Sequence, residues 1–173
     1  MRILADVNLC LDILLERSPF GDAAARIWAL VEQGTVEGHV PAHGVTTIHY
    51  IVSRERGLTT ARLFVSDLLR VFKVAAVDQA VISRAVGLSW RDFEDAVCAA
   101  GAEAAGCDLL VTRNVKDYRD SPVTAVDPMT ALALVEGTGG PRGVSEARGA
   151  YRRRSRQGKQ RDAGRLRGRI HAR

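Results

Sequence analysis

The chain has 173 residues, of which 46% are apolar and 26% charged, values ordinary for a globular protein rather than a disordered or fibrous one. This length gives one domain with a full core and leaves no room for a second. The three cysteines are odd in number and lack zinc-site spacing, which predicts buried, reduced thiols and a cytoplasmic protein. No uninterrupted run of about 18 apolar residues follows the start, so we expect neither a signal peptide nor a membrane span.

The net charge of +5 averages two regions of opposite sign. Residues 1–136 hold 13 Lys or Arg against 18 Asp or Glu, a net charge of −5, whereas residues 137–173 hold 12 against 2, a net charge of +10. The second region also has few apolar residues to bury. We therefore predict one folded domain at residues 1–136 and a basic, disordered tail at residues 137–173.

Short apolar runs alternate with amphipathic stretches along the first region, which predicts strands alternating with helices. In chain order we expect a strand at 2–5, helices at 9–17 and 21–33, a strand at 36–40 and a helix at 45–56. A helix capped by Thr59 or Thr60 follows, then a strand at 73–77 and a helix from its cap Asp78 to residue 86. A helix capped by Asp92 ends at 105, strands follow at 109–112 and 123–126, and Asp127-Pro128 opens a last helix to 136. This order favours an α/β fold with a parallel sheet of four to five strands, flanked by helices on both faces.

Three acidic residues come from separate segments that should meet at one edge of this sheet. Asp6 ends the first strand, Asp95 lies in the first turn of the helix predicted at 92–105, and Asp117 follows the fourth strand. In parallel α/β sheets, ligands collect beyond the carboxyl ends of the strands. Three carboxylates in a partly dry cleft repel one another, so a cation must balance them. Ligand sets made only of oxygen favour Mg²⁺ or Mn²⁺.

Each acid also has a purely structural interpretation. Asp6 could cap the first helix, and Asp117 could be a turn residue. Asp95 could complete a capping box with the cap residue Asp92. The residues alone leave these alternatives open.

The order and spacing of these motifs resemble the PIN-domain family, and within it the prokaryotic VapC-like ribonucleases that act as toxins paired with antitoxins. The resemblance spans residues 1–136. It rests on ILADVNLCLDILLER at the start, on DFEDAVCAAGAEAAGCDLLVTRNVKDY in the second half, and on the spacing between them. It implies a three-layer PIN-like fold around a central parallel sheet.

The resemblance also implies roles for individual residues. Asp6 of the D-x-N motif, with Asn8 alongside, and Asp95 of the E-D-A motif would bind the metal ion. A further acid is expected within TRNVKDY, where Asn114 is a neutral replacement for one usual aspartate. We favour Asp117 as the third catalytic acid, with Asn114 as a hydrogen-bond partner of a water or of the metal site.

One departure from the family pattern concerns the helix after the second strand, where such proteins usually carry another acid. The corresponding segment, GVTTIHYIVSR, contains none, and Thr46 or Thr47 stands in that place. We assign the position to Thr47. A hydroxyl can hold a metal-bound water but brings no charge, so metal affinity or activity would be lower than in a four-acid site.

For function, the resemblance implies Mg²⁺-dependent hydrolysis of RNA phosphodiesters by the toxin of a type II toxin–antitoxin pair, with water as the nucleophile. The expected partners are the RNA substrate and a small antitoxin whose tail fills the acidic groove with a basic residue. A homodimer is a further option, and no membrane is expected. The basic tail either binds RNA phosphates or is a dispensable extension.

Two other hypotheses remain open from the sequence. A catalytically weak or inactive PIN-like module would bind RNA or a protein partner without turnover, in keeping with Thr47 and Asn114 in place of acids. A phosphohydrolase of the haloacid dehalogenase type would need a second aspartate two residues after Asp6, where Asn8 stands instead.

Overall fold

The computed structural model of the chain describes residues 1–15 and 17–137. The predicted tail therefore lies outside the described residues, apart from residue 137. The strands are β1 (Arg2–Ala5), β2 (Glu37–Pro41), β3 (Lys73–Ala75), β4 (Leu109–Val111) and β5 (Thr124–Val126). The α-helices are α1 (Val7–Leu14), α2 (Gly21–Glu32), α3 (Ala42–Arg56), α4 (Leu58–Val71), α5 (Gln79–Leu88), α6 (Phe93–Ala104) and α7 (Pro128–Gly137). A short 3₁₀ helix spans Val115–Tyr118, and none of the helices in these residues is long and apolar enough to cross a membrane.

The five strands form one sheet in the order β3-β2-β1-β4-β5, and every neighbouring pair is parallel. Leu4 of the central strand lies between His39 of β2 and Leu110 of β4. Helices flank this sheet, which confirms the predicted α/β fold, including its fifth strand. Because β1 is covered on both faces, its residues Ile3, Leu4 and Ala5 are no more than 2% exposed.

The helices pack closely on the sheet because small residues line several contacts. α6 lies against β2, β3 and β4, and its Ala99 and Ala102 join Leu4 and Leu110 in one buried cluster. In β2, a Cβ atom on Gly38 would come within 2.6 Å of a Val31 methyl and 2.7 Å of the Phe72 ring. Glycine at this position therefore allows α2 to approach the sheet.

Several predicted helix boundaries were wrong, and α3 begins at Ala42 rather than at residue 45. α1 spans Val7–Leu14 rather than 9–17, because the backbone N–H of Asp6 bonds to Val111 O (3.0 Å) and the helix begins directly after the strand. α4 begins at Leu58, directly after Gly57 turns the chain at φ +86°. Thr59 and Thr60 therefore lie inside α4 and do not cap it.

The predicted caps Asp78 and Asp92 are confirmed, and Asp127 makes similar bonds. Asp78 accepts a hydrogen bond from Val81 N, and Asp92 accepts from the first backbone N–H groups of α6. Asp127 accepts from the backbone N–H groups of Met129 (2.9 Å) and Thr130 (3.0 Å) at the start of α7. Each carboxylate satisfies orphan donors of a helix N-terminus, which fixes where the helix begins.

The three cysteines, Cys10, Cys98 and Cys107, are buried free thiols, as predicted. Burial raises the pKa of each thiol above its ordinary value, to about 11 for Cys107. The thiolate is the reactive form of cysteine, so these side chains are inert packing groups at neutral pH.

Candidate metal centre

The topology of the sheet determines where a ligand site can form. Chain order reverses at β1, with β2 and β3 on one side and β4 and β5 on the other. In open parallel sheets, ligands bind beyond the carboxyl ends of the strands at such a reversal. Asp6 directly follows β1 and Thr112 directly follows β4, so these two residues lie at that point.

Asp6 is buried at this position, with 7% of its surface exposed. Its backbone stands in the cap position of α1, but its side chain accepts no capping hydrogen bond, so the capping interpretation was wrong. Instead Oδ2 accepts hydrogen bonds from Thr112 Oγ1 (2.9 Å) and Asn8 Nδ2 (3.4 Å). Within the described residues Oδ1 accepts none. The result is a buried carboxylate that is held by neutral donors and keeps one oxygen available.

Asp95 lies in the first turn of α6 and is half-buried. Its Oδ1 accepts a 2.7 Å hydrogen bond from the hydroxyl of Tyr118, not a capping-box bond. The Tyr118 ring is buried and meets Trp90 edge-on, with 5.8 Å between the ring centroids. Packing thus fixes the phenol, and the phenol fixes the orientation of the Asp95 carboxylate.

The electrostatics of Asp95 show that the other two predicted acids, Asp6 and Asp117, act on it. Burial raises the pKa of Asp95 to about 6, against the lowering effect of the Tyr118 hydrogen bond. The negative charges of Asp92, Asp6 and Asp117 contribute to this rise. A carboxylate in this environment is more stable when a cation neutralises it.

Asp117 and Asn114 lie on the segment after β4, and both are exposed. Asp117 is in the 3₁₀ helix, where its backbone N–H donates to Asn114 O (2.9 Å). The backbone N–H of Asn114 donates to Thr112 Oγ1 (3.1 Å). Because the same hydroxyl donates to Asp6, Thr112 connects this segment to Asp6. The Asn114 side chain makes no hydrogen bond within the described residues, so its role stays a prediction.

Thr47, the residue in place of the usual acid, uses its hydroxyl inside α3. Its Oγ1 donates to His43 O (3.4 Å) in the preceding turn, and Thr46 Oγ1 donates to the same carbonyl (2.6 Å). The hydroxyl proton of Thr47 is therefore directed at its own helix. Its predicted contact with a metal-bound water is not tested by these bonds.

His43 is a neighbour of the acids that the sequence did not single out as a site residue. Burial lowers the pKa of its imidazole, while the charges of Glu94 and Asp6 act in the opposite direction. The start of α3 can lie this close to α1 because Gly44 packs there. A Cβ atom on Gly44 would come within 2.7 Å of a Val7 methyl.

The donor set fits a hard divalent ion bound by two carboxylates. In the described part of the chain, no group of three or more His, Cys, Asp or Glu side chains is arranged to hold a metal ion. Mg²⁺, however, usually takes one or two carboxylates and fills its other positions with water. Asp6 and Asp95 each keep one carboxylate oxygen free of protein hydrogen bonds among the described residues, which meets this requirement.

An open cleft of about 510 Å³ lies beside Asp95. Its walls carry four acids and three bases: Asp92, Asp95, Asp117, Asp120, Arg91, Lys116 and Arg119, with Trp90 between them. Among residues 1–15 and 17–137, none of these three bases forms an ion pair. The cleft therefore offers unpaired positive charges next to the acids.

Sequence reasoning missed three residues that support the site: Thr112, Tyr118 and Arg113. Thr112 and Tyr118 donate directly to Asp6 and Asp95, but a buried hydroxyl leaves no pattern in a single sequence. Arg113 had a detectable signal. Asp12 interrupts an apolar stretch of α1, and a charge in such a stretch indicates a buried partner.

Comparison with known proteins decides the family. The sequence model of the PIN domain matches residues 2–116. The chain belongs to the PIN-domain family. PIN domains are generally nucleases, which describes the family as a whole. No protein among the curated sequences matches the chain.

Several solved PIN-like structures are similar to this PIN domain. VapBC2 from Rickettsia felis, bound to a DNA fragment from its promoter, has 15% identity and a TM-score of 0.60, covering 73% of this chain and 98% of that one. A toxin–antitoxin complex from Klebsiella pneumoniae has 21% identity and a TM-score of 0.57, covering 73% and 97%. Mycobacterium tuberculosis VapC20, a sarcin–ricin loop cleaving toxin, has 16% identity and a TM-score of 0.53, covering 79% and 95%. At these identities the likeness establishes the shared fold.

Proposed function

We propose that this PIN domain is a divalent-metal-dependent endoribonuclease, and that it acts as the toxin of a toxin–antitoxin pair. The observation that carries the proposal is the effect of two acids on a third, Asp95, at the carboxyl end of the sheet. Asp6 and Asp117 both raise the pKa of Asp95, a residue that burial already makes hard to ionise. A nuclease that uses Mg²⁺ or Mn²⁺ needs such a concentration of oxygen ligands.

Two kinds of residue would form the metal site: those that bind the ion and those that orient the binding carboxylates. Asp6 and Asp95 would hold the ion, with Thr112 and Tyr118 keeping the two carboxylates in place. When bound, the ion supplies Lewis-acid chemistry that lowers the pKa of water and stabilises charge on a phosphoryl group. Asp117 lines the same cleft as Asp95, and its exposed carboxylate can orient an attacking water or accept its proton.

RNA as the substrate is supported by the bases of the cleft. A polyanion is repelled by a site made only of carboxylates, so its phosphates must meet positive charge nearby. Arg91, Lys116 and Arg119 are exposed, line the same cleft as Asp95, and form no ion pair among the described residues. They can therefore bind the phosphates that flank the scissile bond.

The second candidate is a catalytically weak or inactive module that binds RNA or a protein partner. The observation in its favour is the lack of a carboxylate in residues 42–54 of α3, where Thr47 donates to its own helix. Such a protein would bind the same ligands without turnover. Measurement of cleavage separates it from the nuclease.

The toxin role is supported by the fold of the similar structures, several of which are toxin–antitoxin complexes. The partner would be a small antitoxin that inserts a basic side chain among the acids of the site. Co-expression with the product of a neighbouring short reading frame should give a stable complex that inhibits cleavage. Failure to bind any such product would remove the toxin role and leave the nuclease proposal intact.

The nuclease proposal is tested by RNA cleavage with and without Mg²⁺. The substrates are total cellular RNA and a hairpin with the sequence of the sarcin–ricin loop. The wild-type chain should cleave RNA only with Mg²⁺ or Mn²⁺. Asp95→Asn should lower the rate at least about a hundredfold, because metal-site changes of this kind weaken activity by one to two orders of magnitude or more.

Asp120→Asn is the matched control for this experiment. Asp120 lines the same cleft but is not among the charges that act on Asp95. Its variant should cleave at close to the wild-type rate. Absence of metal-dependent cleavage by the wild type, or equal cleavage by wild type and Asp95→Asn, would contradict the proposal.

A further inference from the structure

Asp12 is a charged residue in the middle of the molecule's apolar packing. Its side chain is 1% exposed, and its α1 neighbours Leu11 and Ile13 are buried. Within the described residues, neither carboxylate oxygen accepts a hydrogen bond. A buried carboxylate without such bonds is costly unless a cation compensates it.

Arg113, in the segment that follows β4, supplies that cation. Its Nη1 lies 3.2 Å from Asp12 Oδ1, and only 20% of its side chain is exposed. The Phe20 ring covers the guanidinium, with 4.6 Å between the guanidinium carbon and the ring centroid. A second arginine, Arg17, lies further from Asp12 Oδ1, at 3.9 Å, and is more exposed. Asp12 and Phe20 together therefore restrict the guanidinium to one orientation.

The same guanidinium reaches the metal centre through Asn8. Its Nη2 donates to Asn8 Oδ1 (3.2 Å), and Asn8 Nδ2 donates to Asp6 Oδ2 (3.4 Å). A carboxamide has one acceptor oxygen and one donor nitrogen, so occupying the oxygen decides where the nitrogen points. A flipped amide would put its oxygen against Asp6 and its NH₂ against Arg113, and both contacts would be repulsive.

We propose that Arg113 is a positioning residue for the metal centre: held by Asp12 and Phe20, it directs the Asn8 amide at Asp6 Oδ2. With Thr112 on the same oxygen, this arrangement leaves Asp6 Oδ1 without a hydrogen bond among the described residues, so that it would be available to an ion. The consequence for metal binding rests on the proposed function, whereas the orientation of Asn8 does not.

The arrangement requires arginine specifically. The planar guanidinium presents separate nitrogens to Asp12 and Asn8, as Nη1 and Nη2 do here. The ammonium of lysine is a single strongly hydrated point charge and cannot serve both acceptors in this geometry. Arg113→Lys therefore keeps the charge beside Asp12 and removes the contact with Asn8.

The orientation can be measured in the metal-free protein by NMR, because Asn8 and Asn114 are the only asparagines of the chain. Selective ¹⁵N-asparagine labelling gives two side-chain NH₂ groups, and an Asn114→Ala sample assigns them. In the wild type, Asn8 NH₂ should exchange with water about tenfold more slowly than the exposed Asn114 NH₂. Arg113→Lys should remove this protection.

Arg17→Gln is the matched control, because Arg17 also lies beside Asp12 but does not contact Asn8. It should leave the Asn8 protection unchanged. A folded Arg113→Lys protein with unchanged Asn8 protection would overturn the proposal, as would equal loss in both variants. If Arg113→Lys does not fold, Phe20→Leu at the exposed cover of the guanidinium should reduce the protection in part, and no reduction would overturn the proposal.

The consequence for the site is measured by Mn²⁺ affinity and by RNA cleavage. Arg113→Lys should weaken Mn²⁺ binding about tenfold, as expected for a residue that orients a ligand, while Arg17→Gln stays within about twofold. Cleavage should fall through kcat with unchanged KM, because Arg113 acts on Asp6 rather than on RNA. A rise in KM alone would overturn the assignment and make Arg113 an RNA contact. If the wild type neither binds Mn²⁺ nor cleaves RNA, the proposed function fails, and the NMR result still decides the role of Arg113.

Discussion

Acidic residues at the two ends of the parallel sheet have pKa values shifted in opposite directions. At the amino end, Glu37 of β2 accepts hydrogen bonds from Arg2 Nε (2.8 Å), His39 Nε2 (2.9 Å) and Lys73 Nζ (2.8 Å). These hydrogen bonds lower the pKa of Glu37 to about 2, and the bond from Lys73 has the largest effect. At the carboxyl end, burial and neighbouring acids raise the pKa of Asp95 to about 6.

This difference suggests a structural role for the acid at the amino end of the sheet and a ligand-binding role, as proposed, for the acids at the carboxyl end. The charges at the amino end are balanced inside the chain, so they need nothing from outside. Within the described residues, no cation pairs with Asp6, Asp95 or Asp117 at the carboxyl end. Unbalanced acids in a partly buried site cost stability, and this is why we propose that a ligand supplies the missing charge.

The largest effect on stability is expected for Thr112→Val. Thr112 is fully buried, and its hydroxyl donates to Asp6 Oδ2 while accepting from Asn114 N. Valine has nearly the same shape but leaves both partners without this hydrogen bond. We expect a loss of about 2 kcal/mol in the free energy of unfolding, measured by urea denaturation. A loss below about 0.5 kcal/mol would mean that water replaces the hydroxyl.

A smaller effect of opposite sign is expected for Asp95→Asn in the metal-free protein. The amide oxygen can still accept from Tyr118, while the raised pKa of Asp95 shows that the charged carboxylate is disfavoured in the fold. Because the group is half-exposed and screened by water, we expect a gain of about 1 kcal/mol at pH 7.5. The same change should abolish metal binding.

The pH dependence of that gain has a definite sign. The folded-state pKa of Asp95, about 6, lies above the ordinary value of 3.8. As pH falls, the carboxyl is therefore protonated at a higher pH in the folded protein than in the unfolded chain. The wild type therefore loses its disadvantage as pH falls from above 6 towards 4, and the gain of Asp95→Asn should shrink over this range. A gain that stays constant between pH 7.5 and 4.5 would show that the charge of Asp95 is not its cause.

The smallest effect is expected for Glu37→Gln at the other end of the sheet. The ion pairs of Glu37 are exposed, and exposed pairs contribute little. We expect a small fall in melting temperature at pH 7 and no change in RNA cleavage. The difference from wild type should vanish as pH falls from about 4.5 towards 2, where the wild-type carboxylate is protonated. A marked loss of cleavage would mean that both ends of the sheet serve the site.

Strands, aspartate caps and the parallel α/β class could be predicted from the sequence because they follow from local patterns, whereas the order of the strands was not predicted because it depends on long-range pairing. Apolar runs, turn residues and the caps Asp78, Asp92 and Asp127 each leave a local signal. The acids could be singled out because they follow strands or open a helix, and because D-x-N and E-D-A resemble motifs of the PIN family; their role as metal ligands stays a prediction. The contacts that orient them could not be found, because Thr112 and Tyr118 meet their partners only after the chain has folded.

Arg113 illustrates the same limit in one residue. Its partners Asp12 and Asn8 lie about a hundred residues earlier in the chain, so no local periodicity connects them. The short 3₁₀ helix was missed for a related reason. A single turn of four residues is too short to carry a hydrophobic period.

A Mn²⁺ titration of the metal-free chain, followed by the electron paramagnetic resonance of free Mn²⁺, tests most directly whether the acids at the carboxyl end of the sheet bind a divalent ion. Wild type, Asp6→Asn and Glu37→Gln are compared, so that one acid is neutralised at each end of the sheet. We expect one bound ion per chain in the wild type and in Glu37→Gln, and an affinity at least about tenfold weaker in Asp6→Asn. Equal binding by wild type and Asp6→Asn would contradict this expectation.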